Sequence, residues 1–156
     1  MNARILLVDD HKMLRNLLRV ILEDCSGICV VGEAENGQEA LELAMHHKPD
    51  VVLMDISMPQ MDGITATRKM ITENPGIKVI AFSIHSGSEY VKRMLEAGGV
   101  GYVLKDSSFE EIITAIHTVM SNNTYLSPGI DFTAGPLQED SRIWHPVNSG
   151  RKPFYD

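Results

Sequence analysis

Asp9, Asp10, Asp55, Ser83 and Lys105 are the residues whose types and placement could do chemistry. Each follows a short apolar run. Ile5-Leu6-Leu7-Val8 precedes the acid pair, Val51-Val52-Leu53-Met54 precedes Asp55, Val79-Ile80-Ala81-Phe82 precedes Ser83, and Gly101-Tyr102-Val103-Leu104 precedes Lys105. Carboxylates forced together repel, and stay ionised only if a cation neutralises them. Oxygen ligands with open positions suit Mg²⁺, which keeps several waters and accepts a phosphate oxygen. An Asp beside such an ion can attack phosphorus and form an aspartyl phosphate. Catalysis of that transfer is mainly positioning and charge stabilisation. The metal would serve one phosphoryl oxygen, the Lys105 ammonium another, and the Ser83 hydroxyl with backbone N–H groups the rest. Asp55 stands alone at the end of its run, which makes it the better nucleophile. Of the adjacent Asp9 and Asp10, one should touch the metal and the other hold a coordinated water. Singly, each residue has a plainer reading: an Asp after a strand is often a turn former or helix cap, Ser83 a satisfied loop hydroxyl, Lys105 a solvated charge. Turn chemistry does not readily produce all of them together at four strand ends.

The elements that must gather these residues are legible as alternation. Short apolar runs separated by helical patterns predict a parallel sheet buried on both faces. Strands are expected at about 3–8, 28–31, 51–54, 77–82 and 102–104. Helices are expected at about 11–23, from Asn36 or Gly37 to before Pro49, from Asp62-Gly63 to Asn74-Pro75-Gly76, at about 88–97, and from Ser107 or Ser108 onward. The first helix carries Met13, Leu14, Leu17, Leu18, Ile21 and Leu22 at helical spacing, which predicts its apolar face. Gly98-Gly99 stops the fourth helix, and Glu110 and Glu111 favour the dipole of the last. Alternation of this kind implies right-handed crossovers with helices on both faces. The fold class is therefore α/β, a doubly wound five-stranded parallel sheet in the flavodoxin-like order 2-1-3-4-5. In that order the switch point lies between the first and third strands, and ligands bind at the carboxyl edge.

Bulk properties fit one soluble domain: 156 residues, 44% hydrophobic and 22% charged. A net charge of −7 argues against a broad nucleic-acid surface. No stretch approaches a membrane span, and the start runs directly into a strand rather than a signal peptide. Cys25 and Cys29 are too few for a disulfide framework and read as reduced thiols, so the cytoplasm is the natural compartment. Beyond Ser127-Pro128 the character changes. Residues 129–156 are broken by Gly129, Gly135, Pro136, Pro146, Gly150 and Pro153, and read as a linker or flexible tail after a domain of residues 1–128. Phe132, Trp144, Phe154 and Tyr155 in that segment could dock on the domain or on a partner.

Leu7-Val8-Asp9-Asp10-His11, the run from Leu53 to Gly63, Phe82-Ser83-Ile84-His85 and the run from Ala97 to Asp106 resemble the receiver domain of bacterial two-component response regulators. The nearest likeness is to the NarL/FixJ (LuxR-type) group, covering about Ala3 to Pro128 and including Tyr125-Leu126-Ser127-Pro128. The resemblance implies roles for individual residues. Asp55 resembles the phosphoryl acceptor, Asp10 the direct Mg²⁺ ligand, and Asp9 the second acid, acting through water. Ser57 would lend a backbone carbonyl to the metal. Lys105 would pair with the phosphoryl oxygens, Ser83 would be the switch hydroxyl, and Tyr102 the aromatic that turns inward as Ser83 moves. The implied partner is a sensor histidine kinase, with transcriptional control as output of the full-length protein. A homodimer through the last helices rests on the family alone.

Departures from the broad receiver pattern carry further expectations. Ile84 replaces the very small residue common after the switch hydroxyl, and its bulk should slow phosphate loss, tuned by Ser57 and His85. Asp106 follows the lysine where many receivers have Pro. No helix-turn-helix pattern follows Pro128, so direct nucleic-acid binding by this chain is not expected. The chain is either a fragment of a longer regulator or a single-domain receiver acting through proteins. An Asp-nucleophile phosphatase is a rival on the same fold, but it usually needs an acid two residues after the nucleophile, where this chain has Ser57. A flavodoxin-like cofactor protein would need a phosphate loop where Asp9-Asp10 would repel it.

Overall fold

The computed structural model describes residues 2–130 and the backbone of 143–144. Strands β1 (Ala3–Val8), β2 (Ile28–Ala34), β3 (Val51–Met54), β4 (Lys78–Ser83) and β5 (Gly101–Leu104) alternate with helices α1 (Lys12–Glu23), α2 (Gly37–His47), α3 (Gly63–Glu73), α4 (Ser88–Glu96) and α5 (Phe109–Met120). All pair in parallel, in the order β2-β1-β3-β4-β5, as the alternation predicts. Two short strands extend the sheet beyond β5. These are β6 (Thr124–Leu126) and β7 (Ile143–Trp144), each pairing in parallel with its neighbour. The apolar run of β6 is too short to announce itself, and it becomes a strand because the exposed edge of β5 offers it backbone partners. The expected linker or tail, and docking by its aromatics, otherwise lie outside the described residues.

Period-two alternation divides the central strands between two cores. Leu6, Val8, Val52, Met54, Val79, Ala81, Tyr102 and Leu104 face α2, α3 and α4 through Ala40, Ala44, Ile64, Ala66, Met70, Val91 and Met94. Ile5, Leu7, Val51, Leu53, Ile80, Phe82 and Val103 face α1 and α5 through Leu18, Leu22, Ile112, Ala115, Ile116 and Val119. Burial on both sides is why these strands read as continuous apolar runs.

Local chemistry sets the helix ends. Asn36, Asp62 and Ser108 each accept a hydrogen bond from the amide three residues on. Gly98, at φ +102°, turns the chain after α4 in a conformation most side chains resist. Two expectations need correction. β2 runs on to Ala34, past a bulge opposite Ile5 and Leu6, because Glu33 finds partners on α1 that offset its charge. The apolar face of α1 is narrower than its sequence suggests. Leu18 and Leu22 are buried, whereas Met13 is 85% exposed and Leu17 47%. The third buried position belongs to Arg15, whose guanidinium is claimed by Glu33 and by the Asp9 carbonyl.

Cys25 and Cys29 are free thiols. Among the described residues no helix is long and apolar enough to cross a membrane.

Candidate functional site

The ladder continues one residue past the ends of three strands, and those residues carry the chemistry. Asp9 N–H donates to the Ala34 carbonyl (3.0 Å), Asp55 N–H to Val8 (2.9 Å) and Lys105 N–H to Ser83 (2.8 Å). Three side chains from distant sequence are thus fixed at one edge by backbone bonds. The Lys105 ammonium lies 2.8 Å from Asp9 Oδ2 and 3.5 Å from Asp55 Oδ2. Asp9 and Asp55 are buried, and Asp10 is at the rim with its side chain 37% exposed. A cleft of about 690 Å³ opens over them, bounded by Asp10, His11, Met13, Asp55, Ile84 and Lys105.

The site carries more negative charge than it neutralises. Burial raises the Asp55 carboxyl above its ordinary pKa; Asp9 and Asp10 add to this, while the Ser57 amide and Lys105 oppose it. That amide donates to Asp55 Oδ1 at 3.0 Å, so one acceptor oxygen is tied to the following loop while the other faces Lys105. Asp9 Oδ1 accepts from the His11 amide at 2.9 Å and lies 3.2 Å from His11 Nδ1. Asp9 Oδ2 is buried and has no hydrogen bond of good geometry, only the charge of Lys105 beside it. One ligand atom from each of Asp9, Asp10 and His11 lies within 4.8 Å of the others. The carboxylate set, its excess charge and that under-bonded buried oxygen fit a hard divalent cation such as Mg²⁺.

Ser83 is buried, and its hydroxyl accepts from the His85 amide at 3.0 Å. Tyr102 points inward with no exposed surface, its hydroxyl donating to the His85 carbonyl at 2.6 Å. Burial holds that phenol above its usual pKa, and a hydrogen bond with Ser83 opposes the shift. His85 also meets Ser57 Oγ through Nε2 (2.9 Å) and stacks on Tyr90 at 4.2 Å. The loop after β4 is therefore tied to the loop after β3 and to β5. Ile84 is 73% exposed at the mouth of the cleft.

Residues 5–117 match the response regulator receiver domain family. The chain belongs to that family. The receiver is 42% identical over 127 residues to the response regulator GacA of Pseudomonas viridiflava, covering 81% of this chain and 59% of that protein. It thus spans about three-fifths of that relative's length. Among solved structures it is similar to a LuxR-family two-component response regulator from Aurantimonas sp. SI85-9A1. There the TM-score is 0.78 and the identity 36%, over 80% of this chain and 89% of that one. The signal receiver domain of the putative response regulator NarL from Mycobacterium tuberculosis gives 0.75 and 34%, over 78% and 98%. These likenesses agree with the LuxR-type group that the motifs resemble.

The sequence reading missed two residues that shape this receiver's site. Arg15 donates to the Asp9 carbonyl from a buried position on α1, and no local pattern marks it. Gly63 reads in sequence only as part of the start of a helix. A Cβ there would sit 2.2 Å from the Asp55 carbonyl oxygen and 2.7 Å from Ile56 Cα. The start of α3 packs directly on the backbone that carries Asp55.

Proposed function

We propose that this receiver is a phosphorylation switch that takes a phosphoryl group onto Asp55 from the phosphohistidine of a sensor histidine kinase. An Asp55 oxygen attacks phosphorus; the new O–P bond forms as the donor P–N bond breaks, and the imidazole leaves with a proton taken from water. Asp10, Asp55 and the Ser57 carbonyl, with Asp9 through water, would hold Mg²⁺, which supplies charge neutralisation for the phosphoryl oxygens. Lys105 would swing from its acids to another of those oxygens. Ser83 would release the His85 amide and turn to a third, while Tyr102 keeps the inward position it already holds. Phosphorylation adds about −1.5 to −2 charge and three acceptor oxygens, enough to re-aim these donors. The loop after β4 then shifts population, and the surface built by α4, β5 and α5 changes with it.

The observation that carries this reading is Lys105 bridging two buried acids from different strands. Ile84 at the cleft mouth supports slow phosphate loss, so an Ile84→Ala variant should lose its phosphoryl group faster. The resemblance to LuxR-type regulators supports transcriptional output in the full-length protein. Self-association through the last helices belongs to the same reading, and sedimentation before and after phosphorylation tests it.

Incubation with acetyl phosphate and Mg²⁺, followed by intact-mass measurement, tests the acceptor. A stable gain of one phosphoryl group, absent in Asp55→Ala, is the expected result. Unchanged labelling of that variant refutes the assignment, and continuous phosphate release without a stable adduct would favour a phosphatase.

A further inference from the structure

Ser127 closes β6, is 1% exposed, and does a backbone's work with its side chain. β5 and β6 are paired only at Gly101 with Tyr125 and Tyr102 with Leu126. Ser127 N–H then donates to the Tyr102 carbonyl (2.9 Å), but the next ladder position is taken by a hydroxyl: Leu104 N–H donates to Ser127 Oγ at 3.0 Å. A serine hydroxyl has one proton to give. It goes to Glu111 Oε2 at 2.6 Å, and the Tyr125 hydroxyl donates to the same oxygen at 2.8 Å. Ser107 Oγ lies 3.4 Å from Ser127 Oγ on the loop between β5 and α5. Glu111, which the sequence offers as a helix-dipole acid, is thus the charged anchor of a partly buried network. Bonds to an ionised acceptor are the shorter and stronger kind.

The geometry points to Ser127, oriented by Glu111 and Tyr125, as a positioning residue for Lys105. The two flanking strands hold Lys105 and the residue before it from opposite sides. Lys105 N–H is bound to Ser83 of β4, and Leu104 N–H to Ser127. Outside this loop lies a cleft of about 520 Å³ bounded by Ile84, Ser86, Leu104, Lys105, Asp106 and Ser107; the Leu104 side chain packs into the core, and its carbonyl accepts from Ser107 N–H at 3.0 Å. The Ser127 hydroxyl adds the restraint on the Leu104 amide, on the side away from β4. The ammonium hangs on a flexible four-carbon stem, and where that stem starts decides which oxygens it can reach. The motif at 125–128 therefore serves the phosphorylation site.

This inference rests on the phosphoacceptor reading and is tested separately from it. Beryllofluoride, a tetrahedral phosphoryl stand-in, is titrated calorimetrically into the full chain at saturating Mg²⁺, and Mg²⁺ is titrated alone. For Ser127→Ala, beryllofluoride affinity should fall about tenfold, because small displacements of a positioned group are costly. Mg²⁺ affinity should stay within about twofold, since the acids are held by other strands. Ser127→Thr should restore the loss by keeping the hydroxyl. Should Ser127→Ala not fold, Glu111→Gln carries the test with the same split and a smaller fall. Parallel loss of both affinities, or loss of neither, overturns the positioning role. A wild-type chain that binds Mg²⁺ but no beryllofluoride overturns the phosphoacceptor reading as well.

Discussion

Two acid clusters on this sheet use the same side-chain chemistry to opposite ends. At the cleft, Asp9 and Asp55 share one ammonium, that of Lys105, and Asp10 lies beside them with His11 against Asp9 and Asp10. On the neighbouring edge a single acid, Glu33, receives Arg15 at 3.0 Å and Arg19 at 2.7 Å. Burial would raise the Glu33 carboxyl, but hydrogen bonds and charge from Arg19 and Arg15 together hold it below its ordinary value. Asp55 is held above its own. A balanced cluster holds itself together and needs no ligand. An unbalanced one must be held by the backbone and leaves charge for a ligand to neutralise. Surplus charge facing a cleft, more than the presence of acids, separates a candidate site from a structural one.

The largest expected effect comes from removing the backbone support of the unbalanced cluster. Gly63→Ala should destabilise the chain by about 2 kcal/mol or more, because its Cβ must displace the Asp55 main chain rather than a flexible side-chain end. Denaturant unfolding reads the stability, and acetyl-phosphate labelling should fall with it. Wild-type stability in that variant would mean that the Asp55 loop moves aside freely.

Next in size is relief of the repulsion itself. In the metal-free protein Asp55→Asn should raise stability at neutral pH while abolishing labelling, because a pKa raised by folding is a cost carried by the ionised form. The sign follows from linkage. Between the unfolded pKa and the raised folded one, the native state binds more protons, so this contribution to stability is lost as pH rises. Added Mg²⁺ should stabilise the wild type increasingly over the same rise, and Asp55→Asn should lose most of that gain. Thermal midpoints against pH, with and without Mg²⁺, check both.

The smallest effect belongs to the balanced cluster. Glu33→Gln should cost under about 1 kcal/mol, because partly exposed ion pairs sit in a high dielectric. Its pH dependence runs the other way. A lowered folded pKa gives stability that is present above the unfolded value and lost as pH falls through the folded one. Phosphoryl labelling should be unchanged, and a loss of labelling would show that the two clusters are coupled through Arg15.

The sequence by itself determined the five-strand order, the helix starts to within a residue at Asn36, Asp62 and Ser108, and the gathering of Asp9, Asp10, Asp55, Ser83 and Lys105 at one edge. Those features follow from hydrophobic period and hydrogen-bond capacity, which are local. Tertiary structure decided the rest. It chose Arg15 over Met13 and Leu17 for the buried face of α1, placed Gly63 against the Asp55 backbone, turned Tyr102 inward, and gave Glu111 to Ser127 and Tyr125. Each of those depends on partners 14 to 18 positions away or on contact between elements the chain brings together only on folding. Periodicity reports which way a side chain faces, while packing alone reports what it meets there.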